Sequence, residues 1–171
     1  MYRVDQVALP LAQRMLQCLD SAVDELESKP KHRGLMPGRA AVFLATINEN
    51  ICCDGLAWVL IVSSTPEDTD RQRCGVLSYT VVLEIGIARC APPVAIRTIP
   101  PMDVYNTATE LQMADYAAMS KAICCYQATS LRRKLEGPWA PLDVQGACMG
   151  GTMTLTALGI PACNCKELES P

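Results

Sequence analysis

Gly75-Val-Leu-Ser-Tyr-Thr-Val-Val-Leu-Glu-Ile-Gly-Ile-Ala-Arg89 is the stretch that decides the fold. Leu77, Tyr79, Val81, Leu83, Ile85 and Ile87 alternate with Ser78, Thr80, Val82, Glu84, Gly86 and Ala88. Successive side chains on a strand point to opposite faces, so a period of two sustained over a dozen residues predicts a long strand with one buried face. Cys90-Ala91-Pro92-Pro93 stops it. Upstream, Ala40 to Ile47 and Leu56 to Ser64 read as strands, the second a short apolar run rich in Val, Ile and Trp. Gly55 marks a bend before it. Downstream, Ala147 to Leu158 returns to alternation, with Met149, Gly151, Met153, Leu155 and Ala157 opposite Gly150, Thr152, Thr154 and Thr156.

Two segments carry helical periodicity. From Leu9 to Ser28, Leu11, Met15, Cys18, Leu19, Ala22, Val23 and Leu26 recur at spacings of three and four. Gln13, Arg14, Gln17, Asp20, Asp24 and Glu27 occupy the other face. Pro10 suits a first turn, and Lys29-Pro30 ends the segment because the residue before proline disfavours helical geometry. The second helix is expected to open at Thr107-Ala-Thr-Glu110, a capping-box pattern, and to run to about Arg133. Leu111, Ala114, Ala118, Ala122 and Cys125 mark its apolar face, which Met113, Ala117, Ile123, Cys124 and Ala128 broaden. The order α-β-β-β-α-β predicts a single α+β domain over residues 1–171, a mostly antiparallel sheet with two helices packed on one face and a short polar tail from about 160.

Composition narrows the function. With 50% apolar and 19% charged residues the chain is not a disordered one, and its aromatic content of 5% demands an aliphatic, sulfur-rich core. A net charge of −3 gives no basic footprint for nucleic acid. No apolar run reaches the roughly 18 residues of a membrane span. The early Asp5 and the lack of an apolar stretch before a small-residue cleavage site predict no signal peptide, hence cytoplasmic synthesis with reduced thiols. The low charge also suits a subunit that buries surface against copies of itself.

The ten cysteines against one histidine suggest metal or redox chemistry, yet the spacing supports neither. No Cys-x-x-Cys occurs; four thiols form the adjacent pairs Cys52-Cys53 and Cys124-Cys125, and Cys163-x-Cys165 lies near the C-terminus. Neighbouring side chains diverge on a strand and sit about 100° apart on a helix. The thiols are therefore expected to be packing residues, with Cys52, Cys53, Cys74 and Cys90 as candidates for a disulfide between strand ends. His32 lies in a polar, proline-flanked loop, and Asp54, Glu84 and Asp115 are not paired by spacing. Gly-x-Ser-x-Gly and the phosphate-binding glycine loops are absent, and Gly146-Ala-Cys-Met-Gly-Gly151 precedes a strand instead of opening a helix. No cofactor, metal site or catalytic residue is expected. Two loops stand out by charge: Pro30 to Arg39, with Lys31, Arg33 and Arg39, and Thr65 to Arg73, with Asp68, Arg71 and Arg73.

Cys52-Cys-Asp-Gly-Leu-Ala-Trp-Val59, Leu83-Glu-Ile-Gly-Ile-Ala-Arg-Cys-Ala-Pro92, Gln112-x-x-Asp115 and Gly146 to Gly151 carry a resemblance. Over roughly residues 36 to 158 the chain resembles head-to-tail connector proteins of long-tailed phages of actinobacteria, and its element order is most similar to a tail terminator of the lambda type. The resemblance implies a structural virion protein of the neck, assembled in the host cytoplasm. It would form a hexameric ring that caps the tail tube, contacting the major tail tube protein, the head-side stopper and the tape measure. DNA would pass through its lumen without specific binding. The two charged loops would then be interface or lumen loops. Another connector ring (adaptor or stopper), or less readily a thiol or metal-binding protein, is the alternative.

Overall fold

The computed structural model describes residues 7–29, 40–43, 55–67, 78–91, 101–127, 133–142 and 148–161. Along the chain these form α1 (Ala8–Glu27), β1 (Ala40–Phe43), β2 (Leu56–Glu67), β3 (Ser78–Cys90), α2 (Met102–Gln127), β4 (Arg133–Pro141) and β5 (Cys148–Pro161). The five strands make one sheet in the order β1-β2-β3-β5-β4. β1 runs parallel to β2, and every other neighbouring pair is antiparallel. The fold is α+β, with the expected mostly antiparallel sheet.

The alternation in β3 does what its period demands. Val81, Leu83, Ile85 and Ile87 point to one face, in register with Ala57, Val59 and Ile61 of β2 and with Met153, Leu155 and Ala157 of β5. Both helices cover this face, and their buried residues join the strands in one core. From α1 come Ala8, Ala12, Met15, Cys18, Leu19, Ala22 and Val23; from α2 come Ala114, Ala118, Met119, Ala122, Ile123 and Tyr126. Burying each Leu, Ile or Met side chain contributes about 1.5–3 kcal/mol, so this layer dominates stability. On the opposite face Leu56, Trp58 and Ala88 form a smaller buried cluster with Leu60, Leu142 and Cys148 around it.

Each helix follows local chemistry. Pro10 sits in the first turn of α1, where backbone N–H groups have no helical acceptor. Its end is closed by the Ser28 amide on the Asp24 carbonyl and the Lys29 amide on Leu26, both 3.0 Å. In α2 the expected start is corrected: the helix begins at Met102, five residues before Thr107. The Val104 amide donates to the Pro101 carbonyl at 3.1 Å, and Asp103 places a carboxylate in the first turn, where the helix dipole favours it. Thr107 is thus interior, its hydroxyl donating to the Asp103 carbonyl at 2.8 Å instead of capping.

The far end of α2 is corrected as well. It closes at Gln127, and a strand not anticipated from the sequence, β4, begins at Arg133. Gly137-Pro138 reads as a breaker, but β4 is an edge strand, where a proline interrupts no ladder on its open side. The register shift between Glu136 and Trp139 absorbs the pair as a bulge. β2 likewise extends past Ser64 to Glu67.

Candidate functional site

Arg89 and Asp115 provide the one buried ion pair among the described residues. Arg89 stands near the end of β3 on the helix-covered face, and Asp115 projects from the middle of α2. The guanidinium engages the carboxylate through two nitrogens: Nε donates to Oδ2 at 2.9 Å and Nη2 donates to Oδ1. Such a fork on a carboxylate is geometrically specific and fixes α2 against the sheet. Removing either partner would strand a charge in a low-dielectric interior.

Next to this pair an open cleft of about 410 Å³ lies between the first turns of α2 and the paired ends of β3 and β5. Cys90, Val104, Ala108, Leu111 and Met149 make its wall largely apolar, with Asp103 and Thr107 as the polar groups. Asp103 and Thr107 are joined through the Thr107 hydroxyl and a backbone carbonyl, not as base and nucleophile. The cleft brings together no acid–base pair and no nucleophile with an activating partner among the described residues.

A second polar cluster joins three strands. The Glu67 carboxylate accepts from the Thr80 hydroxyl at 2.5 Å, the Ser78 hydroxyl at 2.9 Å and the Gly159 amide at 3.3 Å. The Thr80 and Ser78 hydroxyls, then the Gly159 amide, hold its pKa below the usual carboxylate value. Gly159 adopts φ of +69°, a left-handed conformation open to glycine. Across the helix pair Lys121 contacts Glu25 and lowers the Glu25 pKa.

The cysteines depart from the packing role expected of them. Cys18 alone is buried among Cys18, Cys90, Cys124 and Cys125; the other three are exposed. Burial, then a hydrogen bond with Cys125, pushes the Cys18 thiol up to about 12. Burial also raises the Tyr126 phenol. Cys148, which the sequence did not single out, is disulfide-bonded, whereas Cys90, the one disulfide candidate among the described residues, is not in a disulfide although the strand register places it opposite Cys148. Cys52, Cys53 and Cys74 lie outside the described residues, as do Lys31, Arg33, Arg39, Asp68, Arg71, Arg73 and His32. The alanine face expected of α2 is half right: Ala114, Ala118 and Ala122 are buried, whereas Met113, Ala117, Cys124 and Cys125 are exposed.

Of the carboxylates singled out by type, Asp115 is buried and paired, while Glu84 sits half-buried on the other face with Trp58 Nε1 at 3.5 Å from its Oε1. Asp54 lies outside the described residues. Among the described residues no group of three or more His, Cys, Asp or Glu side chains could hold a metal ion. No described helix is long and apolar enough to cross a membrane. No protein-family model matches the chain, and no curated protein matches it. What fold and site define is an α+β protein with one clamped helix layer and an apolar cleft.

Proposed function

We propose that the chain is a structural subunit of the neck of a tailed phage, a tail terminator whose copies close into a hexameric ring. The ring would end tube growth, join the head-side stopper, and leave a lumen for DNA. The reading rests on the resemblance carried by residues 36 to 158, and one structural observation supports it. α2 is fully committed to the core on one side, yet its other side carries Met102, Tyr105, Met113 and Tyr116 at 71%, 47%, 47% and 41% exposure. These positions recur along one stripe of the helix, and Trp139 of β4 stacks edge-on against Tyr116 at 6.1 Å between ring centroids. Met and Tyr are enriched at protein interfaces, so a row of them along one helix side supports an assembly surface there. A ring needs such a surface because each subunit contacts two neighbours through different patches.

Symmetry determination on intact particles, backed by mass photometry of the purified protein, tests the reading. Six-fold symmetry at the end of the tail tube is the expected result; twelve-fold symmetry at the portal would assign the chain to an adaptor ring instead. Deletion from the phage genome should leave filled heads beside unjoined, overlong tails. Normal virions from the deletion would sink the proposal.

A further inference from the structure

Strand register sets two cysteines of different oxidation state side by side. Cys90 closes β3 and stands opposite Cys148, the first residue of β5. Cys148 is disulfide-bonded, and none of Cys18, Cys90, Cys124 and Cys125 is the other half of that bond. We propose that Cys90 is an exchange thiol for the Cys148 disulfide, so that the bond moves between its present partner and a cross-strand Cys90–Cys148 staple. The fold supplies the distance. Directly opposed residues on antiparallel strands have Cα atoms about 4.5–5.5 Å apart, and a disulfide spans roughly 4.4–6.8 Å. Such residues also send their side chains to the same face of the sheet. Here that face is the one the helices leave open, because Cys148 packs against the cluster of Leu56, Trp58 and Ala88. Cys90 is exposed, so solvent can take its proton.

The step is an intramolecular thiol–disulfide exchange and needs no outside oxidant. The Cys90 thiol gives its proton to solvent, and the thiolate attacks the Cys148 sulfur. A Cys90–Cys148 bond forms as the old bond breaks; the departing sulfur keeps the bonding pair and takes a proton from solvent. One thiol and one disulfide go in, and one thiol and one disulfide come out. The pairing of β3 with β5 runs without a shift from Val81–Ala157 to Cys90–Cys148, which holds the two cysteines at this separation. The product staples the strand ends that wall the apolar cleft, where Cys90 and Met149 line it. Cys124 and Cys125 lie on α2, away from the β3–β5 register, and serve as internal controls.

The full chain, purified without reductant, is held at mildly alkaline pH, where the thiolate forms, for increasing times. It is then quenched with acid, labelled with N-ethylmaleimide and mapped as unreduced peptides by mass spectrometry. The expected map shows two linkages to Cys148, the original one and Cys90–Cys148. Label lost from Cys90 should reappear mole for mole on the original partner, while Cys124 and Cys125 stay fully labelled. Cys90→Ser, a change at an exposed position, should lose the second linkage completely and leave the original partner unlabelled at every time. The exchanged fraction should not change on dilution, and the linked species should migrate as a single chain. Cys90 that stays fully labelled throughout would overturn the proposal. A Cys90–Cys148 bond found only between two chains, or an attack on Cys148 by Cys124 or Cys125 instead, would do the same. So would Cys90–Cys148 as the sole linkage at every time, which is a fixed disulfide, or label on Cys148 at the start.

Discussion

Trp58 lies over Gly86 and Trp139 over Gly151, on opposite faces of the sheet, and in each case the tryptophan occupies the place a side chain would take. A Cβ on Gly86 would come within 2.2 Å of the Trp58 ring, and one on Gly151 within 2.2 Å of Trp139 Nε1. Neither ring has room to retreat cheaply, since Trp58 is buried and Trp139 packs against the main core. Gly86→Ala should therefore destabilise the protein by about 1–3 kcal/mol through overpacking. Urea unfolding followed by tryptophan fluorescence checks the value. Pairing it with Trp58→Leu should recover part of the loss, because the clash then has no ring to meet. Unchanged stability in Gly86→Ala would show that the ring shifts freely. The buried ion pair makes a second prediction at this scale. Asp115→Ala should cost about 3–5 kcal/mol, since it leaves Arg89 charged and without its carboxylate. Arg89→Met together with Asp115→Leu should restore much of that, and a double-mutant cycle measures the coupling. Additive losses would mean that the two residues act separately.

Among the elements, Glu67 ties β2 to β3 and β5, and this connection depends on pH. Its folded pKa is lowered by the Thr80 and Ser78 hydroxyls and the Gly159 amide. A lowered folded pKa means that the contribution is present above the unfolded value, about 4.3, and is lost as pH falls through the folded value. Glu67→Gln should lower the unfolding midpoint at neutral pH, and the gap to wild type should close as pH drops below that range. A gap that stays constant down to pH 3 would remove Glu67 from the account. The same elements show what a sequence can and cannot reveal. β3 and β5 were legible because alternation is a local property, and α1 because its apolar spacing is uninterrupted. β4 was not, since Gly137-Pro138 in its middle is acceptable only on an edge strand, and edge position is decided by the whole sheet. Thr107 and Glu110 matched a cap, but Pro101 with Asp103 opens α2 a turn and a half earlier. The Arg89–Asp115 pair was invisible for a related reason: its partners lie 26 residues apart on a strand and a helix, so only packing brings them together.

For the whole molecule, the uneven covering of the sheet and the bare side of α2 define how copies could meet. One side of the sheet is sealed by both helices, so a neighbour cannot reach it; contacts must use the α2 stripe, the open face or the sheet edges. Edge β4 is a poor template for strand addition because Pro138 and Pro141 lack amide donors, which leaves the stripe as the stronger candidate on that side. Of its four exposed members, Met113 and Tyr105 lie mid-stripe, and neither enters the core. Replacing both by glutamate would put two charges at the centre of an apolar contact while leaving folding contacts untouched. The doubly substituted protein should keep the wild-type circular dichroism spectrum and thermal midpoint, and, on the proposed ring reading, light scattering should find it as a monomer at concentrations where the wild type assembles. Loss of the midpoint would mean that the stripe serves the fold. A variant that still assembles into six would move the subunit contact away from α2, onto the open face around Leu60 and Val62 or the β1 edge.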